Sequence, residues 1–257
     1  MRGPASLSRI KRQWEALGRE DPLWGVLSDP AKRGNRWDVE EFFRTGPAEL
    51  ASILTFVECT GTPLRRGSAL DFGCGVGRLS QALAEQFREV HGVDVAESMI
   101  AGAKSHNRHG ERCAYHVNTE DRLPFEAGRF DFVLSVITLQ HMPARLASSY
   151  ITEFVRVLAP GGVAYFQIPA APVELSRVGG VWPRIRRMIR HVVPEPVRAV
   201  MRSVSLAMSR SRTFEMHGLP RVDVEALLGR AGARLVAVAP DASAGAGWTS
   251  FRYVAAR

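Results

Sequence analysis

From Ser68 to Phe166 short apolar runs alternate with helical periodicity. Ser68-Ala-Leu-Asp-Phe72, Val90-His-Gly-Val93, Phe130-Asp-Phe-Val-Leu-Ser-Val136 and Gly162-Val-Ala-Tyr-Phe166 are short and apolar, a pattern that predicts strands. Between them, residues 78–87, 98–106 and 144–158 carry apolar positions at helical spacing. Strands separated by crossover helices make βαβ units, which build a parallel sheet covered on both faces. The pattern resumes with a helix over 221–231, a strand over 234–239 and a last strand over 248–255. No internal repeat is visible.

Two segments stand outside this alternation. Residues 1–60 hold Trp14, Trp24, Trp37, Phe42 and Phe43 and end in a helix predicted from Pro47 to Cys59, with Pro47 in its first turn. This is a helical N-terminal extension whose aromatics serve as core, as a lid lining a pocket, or as both. In residues 172–214, Val181, Trp182, Ile185, Met188, Ile189, Val192 and Val193 recur at spacings of three and four, which predicts an amphipathic helix ended by Pro194 and Pro196. A second run follows from Val197 to Met208. The chain therefore divides into an extension (1–60), a core (61–171), an insertion after the fifth strand (172–214) and a C-terminal part of the core sheet (215–257).

Composition narrows the class. The chain has 257 residues, 46% of them apolar, which excludes a wholly disordered protein. Three cysteines argue against a disulfide scaffold and for a reducing compartment. No leader-like or membrane-length apolar stretch is present, so a soluble, cytoplasmic protein is expected. The net charge of +8 invites a nucleic-acid partner, but its distribution does not favour one. Nine arginines between residues 177 and 212 face only Glu174 and Glu195, so nearly all of the excess belongs to the insertion. No helix-turn-helix, zinc-finger or RNP pattern accompanies it. Readings of the insertion are a solvated helical pair, an acceptor lid, an anionic-ligand clamp, a protein interface or a peripheral membrane contact through residues 177–212.

The chemistry concentrates in Asp71-Phe-Gly73-Cys-Gly75-Val-Gly77-Arg78, which follows a strand and opens a helix. Glycine permits positive φ and close approach of a ligand, and helix N-terminal amides can hold an anionic group. The spacing G-x-G-x-G puts Arg78 in the place where a dinucleotide fingerprint wants its third glycine, one position after Gly77, which disfavours a nicotinamide dehydrogenase. Asp94 ends the next strand, 23 residues after Asp71, where a carboxylate can accept hydrogen bonds from ribose hydroxyls. Asp71 is expected to order the loop through backbone amides. Cys74 reads as a small residue that fits, not as a nucleophile. His141, just after the strand ending near Val136, is the candidate general base; His217 and Asp241 are weaker ones. His106, His109 and His116 read as surface residues, and no His/Cys spacing suggests a metal site.

In combination, Asp71-Phe-Gly-Cys-Gly-Val-Gly77, Val93-Asp94, Asn118-Thr-Glu-Asp-Arg-Leu-Pro-Phe125, Arg129-Phe-Asp-Phe-Val133 and Val157-Leu-Ala-Pro-Gly-Gly162 resemble the class I S-adenosylmethionine (SAM)-dependent methyltransferases of the broad methyltransferase-11 type. Asp21-Pro-Leu-Trp24 and the Arg36–Gly46 segment resemble a bacterial subgroup associated with glycan or natural-product modification. The resemblance implies an α/β, Rossmann-like, doubly wound seven-stranded sheet with a reversed last strand. It implies SAM as cofactor, held by Asp71, Gly73, Cys74, Gly75, Gly77, Arg78, Asp94, Val95, Met99, Asn118, Thr119 and Glu120. Where the family often carries an Asp, this chain has Asn118-Thr119, so the adenine partner stays open. Acceptor-side candidates are Trp37, Phe43 and His217. The implied reaction moves a methyl group to an oxygen (or nitrogen) of a small molecule or glycan, the N-terminal segment closing over SAM. The alternatives are an RNA or DNA methyltransferase, which lacks its Asn/Asp-Pro-Pro-Tyr/Phe motif here, and a non-catalytic SAM-binding or membrane-associated protein.

Overall fold

A computed structural model describes residues 4–173 and 215–257. The arginine-rich segment, and with it the helices expected over 181–193 and 197–208, lies outside the described residues.

The helices α1 (Pro4–Glu20), α2 (Pro22–Val26) and α3 (Val39–Glu58) precede the sheet. The alternation then follows: β1 (Ser68–Phe72), α4 (Arg78–Ala84), β2 (Glu89–Asp94), α5 (Glu97–Ser105), β3 (Cys113–Val117), β4 (Phe130–Ser135), α6 (Ala144–Val157) and β5 (Leu158–Pro172). After the undescribed segment come α7 (Arg221–Arg230), β6 (Arg234–Asp241) and β7 (Trp248–Ala256). The seven strands are ordered β3-β2-β1-β4-β5-β7-β6. All pairings from β3 to β5 are parallel, while β7 runs antiparallel to both β5 and β6. This is the Rossmann-like seven-stranded sheet with a reversed last strand.

Side chains alternate across the central strands, so each face has its own core. Leu70 and Phe72 of β1 join Phe154, Val155 and Val224 on the face covered by α6 and α7. Ala69 faces the opposite layer, with Leu50, Leu54, Leu83, Phe132 and Leu134. A third, smaller cluster of Leu17, Phe42, Phe43, Val76, Ala96 and Met99 fastens the N-terminal helices to the ends of the strands. Strand order reverses between β1 and β4, and the loops leaving β1, β2 and β4 open into that crevice.

Some elements differ from the sequence expectation. The helix α3 begins at Val39 and not at Pro47, because Asp38 caps it by accepting the Glu41 N–H at 2.8 Å; Pro47 lies inside the helix. Residues 113–117 form a strand paired with β2, although the pattern alone did not single them out. His116 on that strand is half-buried, its ring stacked on His91. Among the described residues, no helix is long and apolar enough to cross a membrane.

Candidate active site

The turn after β1 is pinned by β2. The Gly73 and Cys74 amides both donate to the Val93 carbonyl, at 2.8 and 3.0 Å, and the Gly75 amide donates to Asp94 Oδ2 at 3.0 Å. Gly73, Gly75 and Gly77 all have positive φ, which only glycine adopts without strain. With these amides spent inside the protein, the loop serves a ligand by its shape. A Cβ on Gly75 would lie 2.4 Å from Val26 Cγ2, so α2 rests directly on the loop.

Beside this loop lies a cavity of about 430 Å³, in the size range of small-molecule sites. Asp71, Gly73, Cys74, Gly75, Arg78, Asp94, Val95, Met99 and Asn118 line it. Gly77, Thr119 and Glu120 do not. Gly77 turns toward β3, where a Cβ would meet the Tyr115 hydroxyl at 2.5 Å. Thr119 and Glu120 instead border a separate open hollow with Arg122 and Pro124, and Asn118 touches both spaces.

Two acids face the site. Asp94 Oδ1 accepts the Ala96 amide at 2.9 Å while Oδ2 takes Gly75. Burial raises its pKa, opposed by these amides. Asp71 accepts the Ser80 hydroxyl at 2.6 Å, a side-chain anchor on α4 where backbone amides were expected. Burial pushes its pKa up to about 6. Burial likewise drives the Cys74 thiol well above its usual pKa, which makes it unreactive.

His141 sits in a 3-10 turn, Leu139–His141, on the cavity wall. Its ring meets Trp14 edge to face, 5.2 Å between centroids. Burial pushes its pKa down to about 4, with a smaller push from His217 and an opposing backbone hydrogen bond at Glu215. The imidazole is therefore neutral near pH 7. The other acceptor-side candidates do not line the cavity. Trp37 donates its indole N–H to the Leu27 carbonyl at 3.0 Å, and Phe43 packs on Phe42 and His106. The His217 amide donates to the Gln140 carbonyl at 2.8 Å, tying its segment to the site from outside.

Several lining residues escaped the sequence reading. Leu7 and Ile10 of α1 join Trp14, one of the expected lid aromatics, in an apolar wall, and Val26 and Leu27 supply another. Their signal was available: Leu7, Ile10, Trp14 and Leu17 repeat at helical spacing. Ile137, Thr138, Gln140, Met142 and Tyr150 complete the far side, where only His141 had been singled out. Among the described residues, no group of three His, Cys, Asp or Glu side chains is placed to hold a metal ion.

Comparison with known proteins turns this geometry into a family. Residues 69–162 match a family model described as a methyltransferase domain. The chain is 30% identical over 197 residues to the ubiquinone biosynthesis O-methyltransferase of Bordetella avium, covering 72% of this chain and 81% of that one. The chain belongs to the class I SAM-dependent methyltransferases. SAM is therefore the cofactor of this methyltransferase. The match to the corresponding Methylococcus capsulatus enzyme is also 30% identical, over 132 residues, and spans about half of each chain (51% and 54%). In fold it is similar to magnesium protoporphyrin IX methyltransferase from Synechocystis PCC 6803, solved with bound S-adenosylhomocysteine (SAH), with a TM-score of 0.63, 17% identity and coverage of 98% and 99%. It is also similar to the 1,6-didemethyltoxoflavin-N1-methyltransferase of Burkholderia thailandensis, with a TM-score of 0.60, 17% identity and coverage of 100% and 91%.

The residues present fit such a cofactor. A half-buried carboxylate with one amide on each oxygen keeps further lone pairs, so Asp94 can still accept the hydroxyls of a ribose. The bare glycine turns beside it leave room for a ligand against the backbone.

Proposed function

We propose that this methyltransferase transfers the SAM methyl group to a hydroxyl oxygen of a small, largely apolar, ring-bearing molecule. The observation that carries this reading is His141: a half-buried, neutral imidazole edge to face with Trp14 on an apolar cavity wall. Bound SAM supplies a methyl group already activated on a sulfonium, so alignment and exclusion of water matter more than activation. In this reading Asp94 takes the ribose hydroxyls, Gly73 and Gly75 admit the methionine portion, and α1 and α2 cover both. His141 accepts the hydroxyl proton of the acceptor on a ring nitrogen.

The low basicity of His141 favours an acidic hydroxyl. A phenol, with a pKa of about 10 as in tyrosine, suits it better than a sugar alcohol. Leu7, Ile10, Trp14 and Met142 offer apolar contact to such a ring. The O-methyltransferase name of the Bordetella avium relative supports oxygen as the accepting atom. The test is radiolabelled methyl transfer from SAM to catechol, a simple phenol and a monosaccharide. Transfer to the phenols and not to the sugar is expected. Transfer to the sugar alone contradicts the reading.

A further inference from the structure

Ile137 is a strained point beside the site. It follows β4 with φ +56°, and among the described residues only it and Asn35 have positive φ without being glycine. Asparagine tolerates this conformation, whereas a β-branched residue there is a true outlier. Strain of this kind persists only where the surroundings impose it. Ile137 lines the cavity, and so does its successor Thr138. Thr138 is set so close to the glycine loop that a Cβ on Gly73 would lie 2.2 Å from Thr138 Oγ1. The left-handed turn at Ile137 thus presses Thr138 against the first bend of the loop.

Two side chains hold this turn: the Thr138 hydroxyl donates across it to the Val136 carbonyl at 3.0 Å, and a buried glutamine takes its strained amide. The Ile137 amide donates to Gln167 Oε1 at 3.2 Å. Gln167 stands on β5, only 1% exposed, and donates through Nε2 to Ser250 Oγ of β7 at 2.6 Å and to Gln140 Oε1 at 3.5 Å. A carboxamide buried between strands is costly unless its polar atoms are used. Here both ends are used, and one end is aimed at the strained amide.

We infer that Gln167 is a positioning residue for cofactor binding: by holding the Ile137 amide it keeps the turn after β4 left-handed and seats Thr138 on Gly73. The inference rests on the assignment of this cavity to SAM. It accounts for an otherwise unexplained buried glutamine and an isoleucine in backbone space that glycine or asparagine would normally occupy. A packing role alone would lower stability without altering the shape of the site.

The test is calorimetric titration of SAH into four proteins: wild type, Gln167→Met, Ile137→Asn and the double variant. Gln167→Met is expected to weaken SAH about tenfold, the scale of one hydrogen bond with its partner left unsatisfied. In the Ile137→Asn background the same change should cost less than about threefold, because Asn adopts the left-handed region readily. Equal losses in both backgrounds, or unchanged affinity in Gln167→Met with only a lowered Tm, overturn the inference. Should Gln167→Met fail to fold, Ser250→Ala loosens the same carboxamide from outside the cavity. A smaller loss in the same direction supports the proposal, and unchanged affinity refutes it. A wild-type protein that does not bind SAH overturns the cavity assignment and the inference together, whereas binding without the coupling overturns only the inference.

Discussion

Arg78 and Glu49 form an ion pair, 2.7 Å between Nη2 and Oε2, that joins the first residue of α4 to α3. Arg78 is 4% exposed and also donates to Thr45 Oγ1 at 3.2 Å. Close by, a Cβ on Gly46 would meet the Arg78 carbonyl at 2.6 Å, so α3 approaches the glycine loop backbone to backbone. Arg78→Met should destabilise the protein by about 1–3 kcal/mol, below the cost of breaking a fully buried pair because Glu49 keeps access to water. Urea unfolding checks this. Adding Glu49→Gln should recover part of the loss, since it removes the unpaired carboxylate.

The contact between Gly75 and Val26 predicts how α2 and the loop depend on each other. Gly75→Ala introduces a Cβ at φ +53°, 2.4 Å from Val26 Cγ2. The clash and the backbone strain should together weaken SAH binding about tenfold, on the scale of 1–3 kcal/mol. Val26→Ala in the same protein removes the clash but not the strain. SAH calorimetry should therefore show partial recovery, not full recovery.

Two desolvated groups at the site pull stability in opposite directions with pH. His141 has its pKa pushed from 6.5 to about 4, so the folded state favours the neutral ring. That contribution is complete above pH 6.5 and is lost as pH falls toward 4, on the order of 3 kcal/mol. His141→Gln should remove this acid-side loss. Asp71 has its pKa raised from 3.8 to about 6, so the folded state favours the protonated acid. Its contribution is complete below pH 3.8 and is lost as pH rises through 6. Asp71→Asn should abolish that decline while keeping a partner for Ser80. Urea midpoints between pH 4 and pH 8 distinguish the two.

His141 also predicts a separation of binding from turnover. His141→Ala should leave SAH affinity within about twofold while lowering kcat toward catechol by at least about a hundredfold, the low end of general-base contributions. Unchanged kcat toward catechol would remove His141 from the chemistry.

Much of this architecture is legible in the sequence because the central strands are buried on both faces and read as continuous apolar runs. The strand β3 is not. Cys113 and Tyr115 point inward while Ala114 and His116 are only partly buried, a five-residue alternation too short and polar to stand out. The start of α3 was legible in principle, since Asp38 followed three residues later by Glu41 is a capping signature. Pro47 hid it, because a proline reads as a helix start and here sits inside one. In the site, the glycine loop and Asp94 were readable because the loop is a run of consecutive residues and Asp94 ends the very next strand. Gln167, Ser250 and Ile137 were not, because 83 residues separate the two side chains whose hydrogen bond anchors the turn.

The account depends most on Asp94 as the ribose-binding carboxylate of a SAM site. The direct measurement is calorimetric titration of SAH into the wild-type protein and Asp94→Ala, with folding of both verified by circular dichroism. The account predicts saturable one-site binding to the wild type and affinity more than about tenfold weaker in Asp94→Ala, from the loss of charge-assisted hydrogen bonds. Absence of SAH binding to the wild type, or equal affinity in the two proteins, would contradict it.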